Sequence, residues 1–327
     1  MDEINLKLCD IKENLPDFIL EKFKSRAFTR VNSYPQNYSS LISILSEKHG
    51  VSEENIILTN GVDEGIEILA RLFNQDILIF SPTYVEYVDA PERNGFNFST
   101  LNCFTGTGFK IKYADDQIKN RSLIYLCNPN NPFGIISRAE ILDLITKTEA
   151  IVVVDETYID FDGESVVNDI KTRPNLVVLR SFSKSFSIAG LRIGYVIADR
   201  EVIQKINKIK LYFNVSTVAV EVAKILLEEE EYFLKLRTAI KGRKTKFEDF
   251  LVEKDFPLIR TNTNNIILKF KTEAEADRLY QYLLENKITT NQGDGVSTYG
   301  LDNTFIRFAC GTDDQMERVT SVMNKYV

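Results

Sequence analysis

The chain has one histidine among its 327 residues and no tryptophan. With His49 alone, a His-rich metal centre is excluded, and a Ser-His-Asp triad would have to rest on that one residue. His49 precedes Gly50 at the end of the amphipathic stretch SLISILSEKHG, so it reads as the last turn of a helix capped by glycine. Cysteine is sparse as well. Cys9, Cys103, Cys127 and Cys310 are scattered and form no C-x-x-C pair, which fits reduced thiols of a cytoplasmic protein, buried as small apolar side chains. No apolar run approaches the roughly 18 residues of a spanning helix, so no membrane partner is expected. The opening MDEINLKLCDIKENLPDF starts acidic and lacks an unbroken apolar stretch, so no secretory leader is expected either. There is no long run of Lys and Arg and the net charge is −7, which argues against a nucleic-acid partner. Nucleotide-binding signatures are missing too: TGTGFKI has two glycines but no third, and no G-x-x-x-x-G-K-[ST] occurs.

What remains is an ordinary soluble composition, 44% apolar and 27% charged, long enough for a large domain and a smaller one. GVDEGIEILARLF predicts a helix, DILIF a strand, and PTYVEYVDAPERNG a helix ending at Gly95. SLIYLCNPNNP is a strand entering a turn, SRAEILDLITKTE a helix, and IVVVDETYIDF and NLVVLRSFSK begin as strands. Continuous apolar runs flanked by helices mark buried parallel strands, hence an α/β domain around a central sheet. Residues 201 to about 250 read as helix, with the acidic run 228–231 as a solvated face. From about Asp255, NNIILKF, EAEADRLYQYLLEN, TFIRFACG and DDQMERVTSVMNKY alternate strand and helix, which predicts a smaller α+β domain.

Open sheets of this kind place ligands at the carboxyl ends of their strands, and four stretches put chemistry there. In VLRSFSKSFSIAGLRIGY, Lys184 follows a strand and a Ser-rich turn, with Ser181 and Ser183 before it and Arg192 after it. Hydroxyls and one arginine suit a phosphate, and a desolvated lysine near other cations suits a catalytic amine; alone, the stretch reads better as a surface loop with an ordinary lysine. In IVVVDETYIDF, Asp155 ends an apolar strand, a costly place for a carboxylate unless it faces a cation such as a protonated pyridine nitrogen. A helix N-cap is the plainer reading of that aspartate. Tyr158, three residues on, and Asn131 in YLCNPNNPFG are donors for a phenolic oxygen, although a rigid Asn-Pro turn explains Asn131 as well. In LTNGVDEGIEIL, Gly61 permits close backbone approach, and Val62 and Asp63 open a helix whose free N–H groups suit phosphate; capping alone also accounts for Asp63.

In this order, these segments resemble the fold-type-I pyridoxal-5′-phosphate (PLP) aminotransferases, most closely the histidinol-phosphate aminotransferase group. The resemblance runs from about Asn32 to the C-terminus, through NGVDEGIEIL, SPTYVEY, NPNNP-x-G, DETYIDF and SFSKSFSIAGLRIGY. It implies the PLP-dependent transferase fold. Residues 35–250 would form a large PLP-binding domain with a mostly parallel sheet flanked by helices, and 251–327 a small α+β domain. Residues 1–34 would join the small domain and a dimer interface. It further implies amino transfer between an amino acid such as glutamate and a small phosphorylated carbonyl acceptor. A decarboxylase of a phosphorylated amino acid is the rival, since threonine-phosphate decarboxylases resemble the same group. By resemblance, Lys184 is the Schiff-base lysine and Asp155 the partner of the ring nitrogen. Asn131 and Tyr158 hold the phenolic oxygen, and Tyr84 stacks on the ring. Gly61, Val62, Asp63, Ser181, Ser183 and Arg192 surround the cofactor phosphate. Tyr34, in NSYPQN, resembles a tyrosine that reaches the neighbouring active site, implying a homodimer. Arg307, in TFIRFACGT, matches the arginine that grips a substrate carboxylate, and Lys269 joins it in the expected anion pocket.

The sequence departs from the group in several places. The segment before Tyr34 is short, and LKLCDIKENLP is hard to match to a substrate-facing stretch. Asn291 in KITTNQGDG and Lys269 in IILKF stand where arginines are usual, and Phe133 stands where threonine is. A phosphorylated or carboxylated amine smaller than histidinol phosphate is the expected substrate.

Overall fold

The computed structural model describes residues 3–35 and 38–326. Seven strands form the central sheet: β1 (Ile56–Thr59), β2 (Ile77–Ser81), β3 (Phe98–Asn102), β4 (Leu123–Cys127), β5 (Ile151–Asp155), β6 (Leu176–Ser181) and β7 (Gly194–Ala198). Their spatial order is β1-β7-β6-β5-β4-β2-β3, and only β7 runs against its neighbours. The strands read as unbroken apolar runs because both faces are covered. Leu78, Phe80, Ile124, Leu126, Val152 and Val154 point into one core. Their alternates Ile77, Ile79, Leu123, Tyr125 and Val153 point into the other.

Helices α1 (Ser39–His49), α2 (Gly61–Leu72), α3 (Glu86–Asn94), α4 (Arg138–Thr146), α5 (Arg200–Ile209) and α6 (Thr217–Glu228) clothe the sheet. The first core takes Leu41 and Leu45 of α1, Ile141 and Leu144 of α4 and Val222 and Leu226 of α6. The second takes Ile66 and Leu69 of α2, Tyr87 of α3 and Val202 and Ile206 of α5. As expected, α1 ends on Gly50 in the left-handed conformation (φ 62°). His49 Nε2 lies 2.8 Å from Tyr195 Oη, and burial pushes the imidazole pKa down to about 3.

The helix predicted from Pro82 begins four residues later. Thr83–Tyr84 instead pairs antiparallel with Thr298–Tyr299, which takes its backbone out of the helix. The helical stretch expected from 201 to about 250 is broken twice, and the break between α5 and α6 leaves Leu211, Tyr212 and Phe213 on the surface. The third helix of that stretch, α7 (Glu230–Glu253), carries Phe233 in the first core. Its Ile240, Phe247 and Leu251 lie in a separate core with the C-terminal elements. Residue 250, the boundary expected from the sequence, lies within α7.

That separate core sits beneath a four-stranded antiparallel sheet of β8 (Leu258–Ile259), β9 (Asn265–Lys269), β10 (Asn291–Gln292) and β11 (Phe305–Ala309), ordered β8-β9-β11-β10. Helices α8 (Glu273–Glu285) and α9 (Asp313–Tyr326) cover it with Leu279, Leu283, Val319 and Met323. The N-terminal segment is laced to this region: Ile4–Asn5 pairs in parallel with Ile288–Thr289, and Ala309 N donates to Leu6 O at 2.9 Å.

Two outcomes follow from this packing. A Cβ on Gly194 would stand 2.9 Å from Arg180 O and 3.0 Å from Gly61 C, both backbone. Gly194→Ala is therefore expected to destabilise the fold by roughly 1–3 kcal/mol, read as a lowered denaturation midpoint. The unfolded chain protonates His49 near its ordinary pKa of 6.5 while the folded chain keeps it neutral to about 3, so His49 costs stability as pH falls from 6.5. Between pH 7 and pH 5, His49→Gln should lose about 1–2 kcal/mol less than wild type in urea titrations.

Candidate active site

Strands β4, β5 and β6 end side by side, with Cys127 opposite Asp155 and Asp155 opposite Leu179. Beyond them opens a cavity of about 580 Å³. It collects Val62, Asp63, Tyr84, Asn131, Asp155, Tyr158, Ser181, Ser183, Lys184 and Arg192, with Leu8, Cys9 and Asp10 of the N-terminal segment.

Lys184 sits on the single helical turn Phe182–Ser185 that follows β6, and Ser181 caps it by accepting from Ser183 N at 3.1 Å. Among the described residues no carboxylate pairs with its ammonium. Burial lowers its pKa; Cys9 and Asp10 oppose the shift, while Arg307 and Lys12 add to it. The turn is fixed from beneath. Asp160 accepts from the Ser185 hydroxyl, and Arg237 donates to Ser185 O at 2.7 Å. Arg180 bridges Glu156 at 2.9 Å and Asp160 at 3.1 Å.

Asp155 is buried and its pKa is raised by burial, with Thr157 N donating to Oδ1 at 2.8 Å and Tyr87 Oη to Oδ2 at 2.7 Å. Tyr87 is in turn stacked on Tyr125, with centroids 5.0 Å apart and planes 4° apart. The local sequence does not mark Tyr87, which lies in the first turn of α3 with its ring edge-on to Tyr84, centroids 5.9 Å apart. Asn131 Oδ1 accepts from Asn265 Nδ2 at 3.1 Å, which orients its own amide N–H group for donation. Tyr158 is buried beside Cys9 and Phe161, and burial raises its pKa well above the ordinary tyrosine value.

Gly61 opens α2 with φ +71°, a conformation that favours glycine, and a Cβ there would stand 2.7 Å from Arg192 Nη2. Arg192 is itself left-handed (φ 51°) and pairs with Asp63, whose other oxygen accepts from Tyr84 Oη at 3.0 Å. The free N–H groups at the start of α2, the Ser181 and Ser183 hydroxyls and Arg192 thus surround one corner of the cavity.

Arg307 lies in mid-β11 and is fully buried, 0% exposed. Its partners among the described residues are neutral: Cys9 Sγ accepts at 2.8 Å, Ser297 Oγ at 2.7 Å and Asn265 Oδ1 at 3.4 Å, and Nε has none. A buried guanidinium without a carboxylate is a site awaiting an anion. Lys269 is not at this site. It ends β9, four residues beyond Asn265, where its ammonium meets Thr304 and lies 4.7 Å from the centroid of Phe305. Arg307 faces Ile267 across the sheet, so Lys269 lies two residues, about 7 Å, along the strand from it, and its ammonium is held on the Thr304 side. Asn291 pairs with Arg307 across the sheet, but its amide donates to Lys7 O. Phe133 packs on Phe104, centroids 4.9 Å apart. Tyr34 is outside the cavity, 74% exposed and stacked on Phe213 at 4.9 Å.

These residues fit PLP. The corner that admits no side chain at Gly61 has the donors a phosphate needs, and Asp155 offers a buried carboxylate to a ring N–H⁺. Lys184 is an amine without a carboxylate partner in the same cavity.

The aminotransferase class I and II family profile matches residues 2–323. Histidinol-phosphate aminotransferase of Clostridium kluyveri is 31% identical over 315 residues, 94% of this chain and 87% of that protein. L-threonine-O-3-phosphate decarboxylase from Porphyromonas gingivalis superposes with a TM-score of 0.84 at 25% identity, covering 99% of both chains. Histidinol-phosphate aminotransferase from Sinorhizobium meliloti, in complex with pyridoxal-5′-phosphate, has the same fold, with a TM-score of 0.84 at 20% identity over 99% of this chain and 92% of that one. With a family match over nearly its whole length and a relative above 30% identity spanning almost all of it, the chain belongs to the class I and II aminotransferases, PLP-dependent enzymes of fold type I.

Proposed function

We propose that this aminotransferase moves an amino group between an amino acid such as glutamate and a small phosphorylated carbonyl acceptor. One observation carries the reading: among the described residues neither Lys184, which faces a cavity shared with the buried carboxylate of Asp155, nor Arg307, behind Cys9 and Ser297, has an acid partner. The relatives named for histidinol phosphate support a phosphorylated substrate.

In this reading Val62, Asp63, Ser181, Ser183 and Arg192 hold the cofactor phosphate, and Gly61 keeps the corner open. Asp155 holds the proton on the ring nitrogen, Asn131 and Tyr158 donate to the phenolic oxygen, and Tyr84 lies against the ring. PLP, when bound, supplies an electron sink for the bonds at the substrate Cα. Lys184 anchors the cofactor and, once freed, moves the proton at that carbon; its lowered pKa makes it a better base near neutrality. Arg307 orients the substrate carboxylate in a two-point grip, and Leu8 and Cys9 close one wall to water.

The same reading includes a cytoplasmic homodimer. Tyr34 and Tyr212 (82% exposed), with Leu211 and Phe213, form an uncovered apolar patch of the kind that partners bury. Tyr34 would reach the neighbouring site from there. A second activity, decarboxylation of a phosphorylated amino acid, is favoured by one observation, the likeness to the Porphyromonas gingivalis decarboxylase.

Lys184→Ala is expected to lose the visible absorption band of the bound cofactor and all measurable turnover; full activity would refute the scheme. Asp155→Ala should keep the fold and lose most of the rate, about 10²-fold or more. Arg307→Ala should raise KM for the amino donor, and an unchanged KM would remove Arg307 from the site. Carbon dioxide released from threonine phosphate without any keto-acid acceptor would decide for the decarboxylase.

A further inference from the structure

Besides Lys184 and Arg192, which line the cavity, and Arg307 behind Cys9 and Ser297, a further cation of this chain lies close behind the wall. Asp10 is part of the cavity wall, and Lys12 Nζ donates to Asp10 Oδ1 at 2.6 Å, one hydrogen bond behind that wall. The pair is lopsided, with the Lys12 side chain 12% exposed and Asp10 42%. The segment carrying them is pinned in place. Asn264 Nδ2 donates to Cys9 O at 3.0 Å, Asn291 Nδ2 donates to Lys7 O, and Cys9 Sγ meets Arg307. Burial foremost, then Arg307 and Lys12, lowers the pKa of Lys184.

The three cations named first are committed. Arg192 pairs with Asp63 at the corner assigned to the cofactor phosphate, and Lys184 to the cofactor itself. Arg307 serves one anion. A substrate with a second anion, whether the side-chain carboxylate of a dicarboxylic donor or the phosphate of an acceptor, needs another positive group. The sequence points to Lys269 and to the position of Asn291 for it. Lys269 lies at the far end of β9 against Phe305, and the Asn291 amide is spent on the Lys7 carbonyl.

We propose that Lys12 is the second cation of the substrate site, binding the distal carboxylate or phosphate of a substrate whose first anion sits on Arg307, with Asp10 as the counter-ion that gives way to it. The exchange replaces a partly exposed ion pair, which contributes little, with a charge-assisted contact in a more enclosed place. The inference rests on the anionic-substrate reading above. It predicts a preference for dianionic over monoanionic substrates.

The test uses the PLP-loaded enzyme and three probes: glutarate, 3-phosphonopropionate and butyrate, which lacks the second charge. Calorimetry should show both dianions binding wild type more tightly than butyrate. Lys12→Met should weaken the dianions by about tenfold or more while leaving butyrate within about twofold. Lys12→Arg should retain most of the preference, and Asp10→Asn should strengthen the dianions a few-fold. The larger loss in Lys12→Met, with glutarate or with 3-phosphonopropionate, tells whether a carboxylate or a phosphate is the natural occupant. No preference for dianions in wild type, an equal loss for all three probes, or no loss in Lys12→Met overturns the assignment. Conversion of the bound cofactor by amino donors is followed separately by its visible spectrum. Its failure would count against amino transfer, while the binding data would still decide Lys12.

Discussion

The guanidinium of Arg180 is the tie on which the site depends. It is buried and joins Glu156, one residue past Asp155, to Asp160, which in turn holds the hydroxyl of Ser185, one residue past Lys184. The loops after β5 and β6 are thereby fixed to each other by charge, beyond the last backbone bond from Glu156 N to Leu179 O at 2.9 Å. Buried ion pairs contribute little net stability, but removing one member leaves an uncompensated charge that costs on the order of 3–5 kcal/mol. The network therefore makes one separation between lysine and aspartate far more favourable than any other.

Around that fixed frame stand charges that no opposite charge among the described residues pairs, Lys184 and Asp155 in the cavity wall and Arg307 behind it. Lys184 has no carboxylate, Arg307 has a thiol, a hydroxyl and an amide oxygen, and Asp155 has a phenol and a backbone amide. Each neutral partner orients its charge without cancelling it. This is what preorganisation requires: the groups are aimed in advance, and their electrostatic demand is met by what binds. Asp63 is the contrast. It is held between Arg192 and Tyr84, so the corner beside α2 offers N–H groups and a guanidinium with its carboxylate already occupied.

Much of this was legible in the sequence, for physical reasons. Strands β4, β5 and β6 are covered on both faces and so carry unbroken apolar runs, and Lys184, Asp155 and Asn131 follow directly from where those runs stop. Edge strands were less visible. Phe98–Asn102 is half-exposed along most of its length and shows no such run. Lys269 illustrates a different failure: residues 265, 267 and 269 share one face of β9, but alternation tells the face and not which end of the strand meets the cavity. Tyr87 and Arg180 escaped for a third reason. Their partners are 68 and 24 residues away, and no local pattern encodes a contact of that span.

Helix α7 has a mechanical consequence. Over its 24 residues it runs without interruption from the core beneath the parallel sheet to the core beneath the antiparallel one. A rod of hydrogen-bonded turns resists folding at its middle, so the region after it has no slack joint there about which to swing. Any tightening of the Arg307 side around a bound molecule must arise by tilting or gently bowing this shaft, with the leading segment 4–12 dragged along by its sheet pairing. Small, stiff adjustments, rather than wide domain closure, are the motions this connection permits.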